Sequence, residues 1–90
     1  MKRLLLPTVA VMTMISPAFA RSPDLCESLW VERNAYYKDA GYCFTTSRAI
    51  RYFGNAGCLY DQVSAVPLSQ SVRNRIVEIS RAERRLACGD

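Results

Sequence analysis

Four cysteines, Cys26, Cys43, Cys58 and Cys88, stand in a chain of 90 residues that contains no histidine. Without histidine or a C-x-x-C spacing the usual zinc ligand sets cannot be assembled, and neither metal nor cofactor is expected. The other use of such cysteines is a disulfide framework, which needs an oxidising compartment. The N-terminus supplies a route there. Residues 1–20 have the three parts of a secretory signal: Lys2 and Arg3, the apolar run 4–15, and Ser16-Pro17-Ala18-Phe19-Ala20, whose A-x-A ending suits signal peptidase. A cut after Ala20 would leave a domain of residues 21–90 in the periplasm or outside the cell. The apolar run falls short of the roughly 20 residues of a membrane span, so no span is expected in the mature form.

Losing the signal also lowers the charge, since the twelve basic and eight acidic residues become ten and eight. So mild an excess argues against nucleic acid, which calls for a basic stripe or patch. It permits a weak attraction to anionic envelope polymers. A domain of about 70 residues lies near the lower limit for a self-sufficient core, so covalent staples are expected to decide its stability.

Periodicity predicts an all-α fold, a small bundle of three main helices. The first starts in the Ser22-Pro23-Asp24 cluster, with either Ser22 or Asp24 as cap, and carries Cys26, Leu29, Trp30, Arg33, Tyr36, Tyr37 and Ala40 at three- and four-residue steps to a stop at Gly41. Tyr42-Cys43-Phe44 reads as a short extended connector. The hydroxyls of Thr45, Thr46 and Ser47 cap a second helix through Ala49, Ile50 and Phe53, ended by Gly54. A turn at 55–58 and an irregular stretch to Pro67, with room for one helical turn, lead to a third helix capped by Ser69. Val72, Ile76, Ile79 and Leu86 form its apolar stripe, Arg73, Arg81, Arg84 and Arg85 lie mostly elsewhere, and Gly89 is expected to close it.

Four cysteines allow three pairings. Spacing favours Cys43 with Cys58, closing a loop of about 15 residues around the second helix, and Cys26 with Cys88, tying the first helix to the last. At 100° per residue Cys88 would point away from the apolar stripe, so the last helix must unwind near Ala87 for that bridge to form.

Two charged residues interrupt apolar faces, Arg33 in the first helix and Glu83 in the third. They are expected to meet as a structural ion pair; the other use of Arg33 is to offer its guanidinium fork, beside Asn34, to an anionic ligand. Eight aromatic residues fall between Trp30 and Tyr60. Trp30, Tyr37 and Phe53 suit the core, whereas Tyr36, Tyr52 and Tyr60 suit a surface. The binding candidates are thus Arg33, Asn34, Tyr36, Arg48, Arg51 and Tyr52. Catalysis has little material: no Ser-His or Cys-His nucleophile can be built, bridged cysteines are not thiolates, and a carboxylate pair such as Glu32 and Asp61 would need a cleft rarely found in so small a body.

From Leu29 to Phe44 the chain reads LWVERNAYYKDAGYCF. This stretch resembles the YARHG domain, an extracellular-type module of bacteria, through Leu29, Trp30, Arg33, Asn34, Tyr37, Gly41, Tyr42 and Phe44, with Tyr52-Phe53 following. The residues that name the family differ here: Tyr37-Lys38-Asp39-Ala40-Gly41 replaces the Arg-His pair with Asp39-Ala40. The resemblance implies an exported helical fold without implying an activity. Together these features lead to the expectation of a monomeric, non-catalytic module that binds an envelope protein or glycan. A small cell-wall hydrolase working through a carboxylate pair and an inhibitor or immunity-type protein are the alternatives.

Overall fold

A computed structural model describes residues 22–89. The signal sequence and the cut after Ala20 lie outside the described residues. Three helices make the frame: α1 (Ser22–Asp39), α2 (Ser47–Phe53) and α3 (Gln70–Arg85), with a single 3-10 turn at Val63–Ala65. Helix α1 is the centre, packing against both α2 and α3. Asp24 lies inside its first turn rather than capping it, where a carboxylate favours the positive end of the helix dipole.

Each helix ends or begins on a chemistry its sequence announces. Helix α1 stops at Gly41, whose φ of 96° is open to glycine; Gly41 N–H donates to the Lys38 carbonyl (3.1 Å) and Tyr42 N–H to the Tyr37 carbonyl (3.0 Å). The Thr46 side chain accepts from Ala49 N–H at the start of α2, and Ser69 accepts from Val72 N–H at the start of α3. The same double-bonded stop recurs at the end of α3, where Ala87 N–H reaches the Arg84 carbonyl and Cys88 N–H the Glu83 carbonyl. Here Ala87, not Gly89, takes the left-handed conformation (φ 58°). The helix has to turn there for Cys88 to reach α1, so the strained position falls at Ala87.

That turn delivers Cys88 to Cys26, with Cα atoms 5.5 Å apart and an S–S bond of 2.02 Å; Cys43 and Cys58 form the second bridge. The first bridge and the Arg33–Glu83 pair set α1 and α3 antiparallel. The second holds the ends of the loop that contains α2. Beside it the returning chain lies along the connector: Cys43 N–H donates to the Tyr60 carbonyl (2.8 Å), and both Leu59 and Tyr60 N–H groups reach the Gly41 carbonyl. This isolated parallel bridge, Tyr42 to Tyr60, contributes extended backbone without making a sheet. Asn55 clamps the same region, its Oδ1 accepting from Phe44 N–H (2.7 Å) and its Nδ2 donating to the Phe44 carbonyl (2.9 Å).

The core is small. Trp30, Phe44 and Ala49 form its buried cluster, with Val31, Tyr37, Tyr42 and Phe53 packed around it. Phe44 stacks on Phe53 at 5.3 Å between centroids and meets Tyr42 edge-on. Val66 and Ile79 are the two most completely buried side chains. So few enclosed residues explain why the frame relies on covalent bridges.

Candidate functional site

Around α1, successive residues point in directions 100° apart, and this separates two faces. One face meets α3. There the Arg33 guanidinium grips the Glu83 carboxylate with two hydrogen bonds, Nε to Oε1 at 2.8 Å and Nη2 to Oε2 at 3.0 Å. Next to this pair, Glu32 receives Arg75 in the same two-pronged way (2.7 and 2.8 Å) and accepts from the Tyr36 hydroxyl (2.8 Å). These bonds, Arg75 first and Tyr36 second, hold the Glu32 carboxyl down at about 2, against the opposing effect of desolvation. The same contact raises the Tyr36 hydroxyl and strengthens the Arg75 charge, with Glu78 adding to the latter. Glu32 is therefore an ionised structural partner and cannot serve as a general acid near neutrality. Asp61, its proposed companion, lies exposed in the connection before the 3-10 turn.

The other face of α1 meets α2 and the connector, and there a cleft of about 330 Å³ opens. Its lining includes the rings of Trp30, Tyr37, Tyr42 and Phe44, the hydroxyls of Thr45 and Thr46, and Arg48. Arg48 lies flat over the Trp30 ring, 3.8 Å from its centroid, and pairs with Glu27 at the exposed rim. Val63 stands at the lining and is half exposed. Among the described residues, no carboxylate lines the cleft.

Asn34 decides its polarity. This side chain is buried and lines the cleft, and its Nδ2 donates back to the Trp30 carbonyl at 3.0 Å. Turning the amide over would set oxygen against oxygen, so the assignment is fixed by its partner. Oδ1 is then the polar atom left over, and among the described residues nothing donates to it. A buried acceptor without a donor is costly, and a ligand hydroxyl or N–H would satisfy it.

Of the six candidates from the sequence, the structure brings Arg33, Asn34 and Arg48 to the cleft. Arg33 reaches it with its fork already occupied by Glu83. Tyr52 presses its ring edge-on to Trp30 at 5.7 Å and remains 56% exposed, at the margin of the same aromatic group. Tyr36 is not with them; it belongs to the α3 face. Arg51 is exposed on α2 and contributes nothing to the lining. The sequence analysis did not single out Arg75, the Arg48–Trp30 stack or the Asn55 clamp. For Arg75 a signal existed, because the antiparallel register that a Cys26–Cys88 bridge imposes carries the middle of α3 past Glu32 and Tyr36.

Comparison with protein families finds that the model of the YARHG domain matches residues 2–84. The chain belongs to the YARHG domain family. No curated protein and no solved structure gives a match. Most of the positions through which the chain resembles the YARHG domain build the cleft: Trp30, Arg33, Asn34, Tyr37, Tyr42 and Phe44 line it, and Gly41 makes the turn that brings Tyr42 back under Tyr37. The departing pair, Asp39 and Ala40, sits at the end of α1, outside the lining. This YARHG chain therefore has an aromatic cleft while lacking the basic pair that names the family. Among the described residues, no helix is long and apolar enough to cross a membrane.

Proposed function

We propose that this protein is a non-catalytic binding module of the bacterial cell envelope, exported by a signal cut after Ala20, that holds a saccharide unit of an envelope glycan in the α1–α2 cleft. The observation that carries this reading is Asn34, a buried side chain lining a cleft walled by aromatic rings, whose Oδ1 has no donor among the described residues. A sugar ring presents a C–H face to stack on such rings and hydroxyls to donate to such an acceptor. The cleft's size suits one or two rings. Arg48 is held by Glu27 and Arg33 by Glu83, so the cleft is close to neutral and suits an uncharged saccharide ring. Glu32 is bound up by Arg75 and no carboxylate lines the cleft among the described residues, so the carboxylate pair of a glycosidase finds no support there.

Co-sedimentation with purified cell-wall sacculi tests the proposal, using the exported chain and its Val63→Trp variant. Val63 is half exposed at the lining, so a tryptophan there closes the cleft without disturbing the core. Retention of the native chain and its loss in the variant, at unchanged melting temperature, is the expected result. Equal behaviour of the two chains would remove the cleft from the explanation. Mass spectrometry of the exported chain, with Arg21 as its first residue, tests the cut.

A further inference from the structure

The modest net charge of the chain conceals an uneven distribution. All four glutamates are consumed in ion pairs on or beside α1: Glu27 with Arg48, Glu32 with Arg75, Glu83 with Arg33, and Glu78 also with Arg75. Apart from Glu78, which Arg75 holds, the charged residues on the outer side of α3 are arginines. Arg73, Arg81, Arg84 and Arg85 are exposed, and none has an ion pair or hydrogen bond from its side chain among the described residues. On a helical projection Arg73, Arg81 and Arg84 lie within about 80° of arc, with Arg85 just beyond, opposite the buried Ile79. From Arg73 to Arg85 the row runs about 18 Å. Val77, 46% exposed, sits in its middle.

Structural reasons account for only part of this row. Arg84 and Arg85 lie in the last turn, where a cation favours the negative end of the helix. Arg73 lies near the opposite end, where the dipole disfavours it. Arg81 faces Arg84 and Arg85 at three and four residues' distance, a spacing at which like charges destabilise a helix. Glu78, three residues before Arg81, offers it a weak attraction of about 0.2–0.5 kcal/mol but is already paired with Arg75, so the folded chain gains little from keeping Arg73 and Arg81 basic.

We infer that the arginine face of α3 docks on a bilayer surface bearing anionic phospholipid headgroups. The spread favours this partner, for Arg73 stands about 12 Å along the helix from the group Arg81, Arg84 and Arg85, so the charges are distributed over a convex helix and not gathered in one pocket. A laterally repeating array of phosphates satisfies such a row, each fork accepting two phosphate oxygens. The apolar stripe of α3 is turned toward the fold, with Ile79 buried and Val72, Ile76 and Leu86 half-buried, so contact is by charge at the headgroup level and not by insertion. The inference is independent of what occupies the α1–α2 cleft. It would place that cleft, on the other face of α1, away from the bilayer.

Vesicle co-sedimentation is the test, with the exported, disulfide-bonded chain and vesicles of phosphatidylcholine alone or mixed with phosphatidylglycerol. Each arginine near such a surface strengthens partitioning about fivefold, so Arg73→Gln with Arg81→Gln should weaken binding to the mixed vesicles about 30-fold. The corresponding double lysine variant should restore most of it, and raised salt should release the native chain. Both replaced side chains are exposed and unbonded, so helix content and melting temperature should be unchanged. All comparisons use chains identical at the N-terminus, so the apolar run 4–15, if retained, contributes equally to each. Equal binding to the two vesicle types, an unaffected glutamine variant, or tighter retention by soluble duplex DNA than by vesicles would overturn the inference. If the glutamine variant loses helix, the native chain's dependence on phosphatidylglycerol and salt decides the matter alone.

Discussion

Replacing Arg33 by alanine removes one half of an ion pair whose side chains are only 24% and 12% exposed. The loss has two parts: two charge-assisted hydrogen bonds disappear, and Glu83 is left largely shielded from water with no cation to meet it. Breaking a fully buried pair costs about 3–5 kcal/mol, and exposed pairs are worth less than about 1 kcal/mol. The bidentate geometry and the partial burial place this pair between the two, at about 2 kcal/mol. In a domain of this size each kcal/mol moves the melting temperature by about 4–8 °C, so Arg33→Ala should melt about 10 °C below the native chain. Glu83→Gln keeps the shape and can still accept one bond, so it should fall by less. The double variant should melt above the sum of the single losses, with a coupling of about 1–2 kcal/mol. Thermal unfolding followed by circular dichroism, with both disulfides intact, reads all four chains. A melting temperature of Arg33→Ala within a degree or two of the native value would refute the reasoning and return Arg33 to the role of a ligand-binding cation.

Other consequences are as direct. Replacing Cys26 and Cys88 by serine opens the longer loop, separated by 62 residues, and should cost about 4 kcal/mol; the Cys43–Cys58 pair, separated by 15, should cost about 3 kcal/mol, an order that denaturant titration of the two double variants can check. Because Glu32 titrates at about 2 in the fold and near 4.5 when free, its contribution is present above pH 4.5 and lost as pH falls toward 2; Glu32→Gln should be the less stable chain at pH 7 and should lose less on acidification. Ala87→Gly relieves a left-handed alanine and should raise stability by about 0.5–1 kcal/mol, measured by the same thermal scan. Asn55→Ala leaves the Phe44 N–H and carbonyl without their partner and should cost about 1–3 kcal/mol, with faster amide exchange at Phe44.

The helices were legible because their limits are written in single residues: Thr46 and Ser69 as caps, Gly41 and Gly54 as stops. The stop of α3 shows the limit of that grammar. Gly89 had the right composition, yet the turn falls at Ala87, where the reach of Cys88 to Cys26 leads the helix to unwind; that expectation comes from the pairing and helical geometry, not from any local preference. Arg33 and Glu83 could be matched from sequence because each interrupts an apolar stripe. Arg75 interrupts nothing, so its grip on Glu32 emerges only from the antiparallel register. The cleft was half visible. Its rings and Asn34 stood out as residue types, but sequence order placed Tyr36 beside Arg48, whereas the two lie on opposite sides of α1. The charge of α3 was visible as a count and hidden as a pattern, since only the fold reveals which arginines the glutamates neutralise.

The chain contains one tryptophan, and Trp30 lies in the cleft wall beneath Arg48. Its fluorescence therefore reports on occupancy of the cleft without any label. Titration of the exported chain with soluble cell-wall saccharides should give a saturable change in Trp30 emission, and a weaker one for Asn34→Ala. An emission that stays constant to saturating saccharide, or that changes equally in the native chain and in Asn34→Ala, would contradict a saccharide seat between α1 and α2.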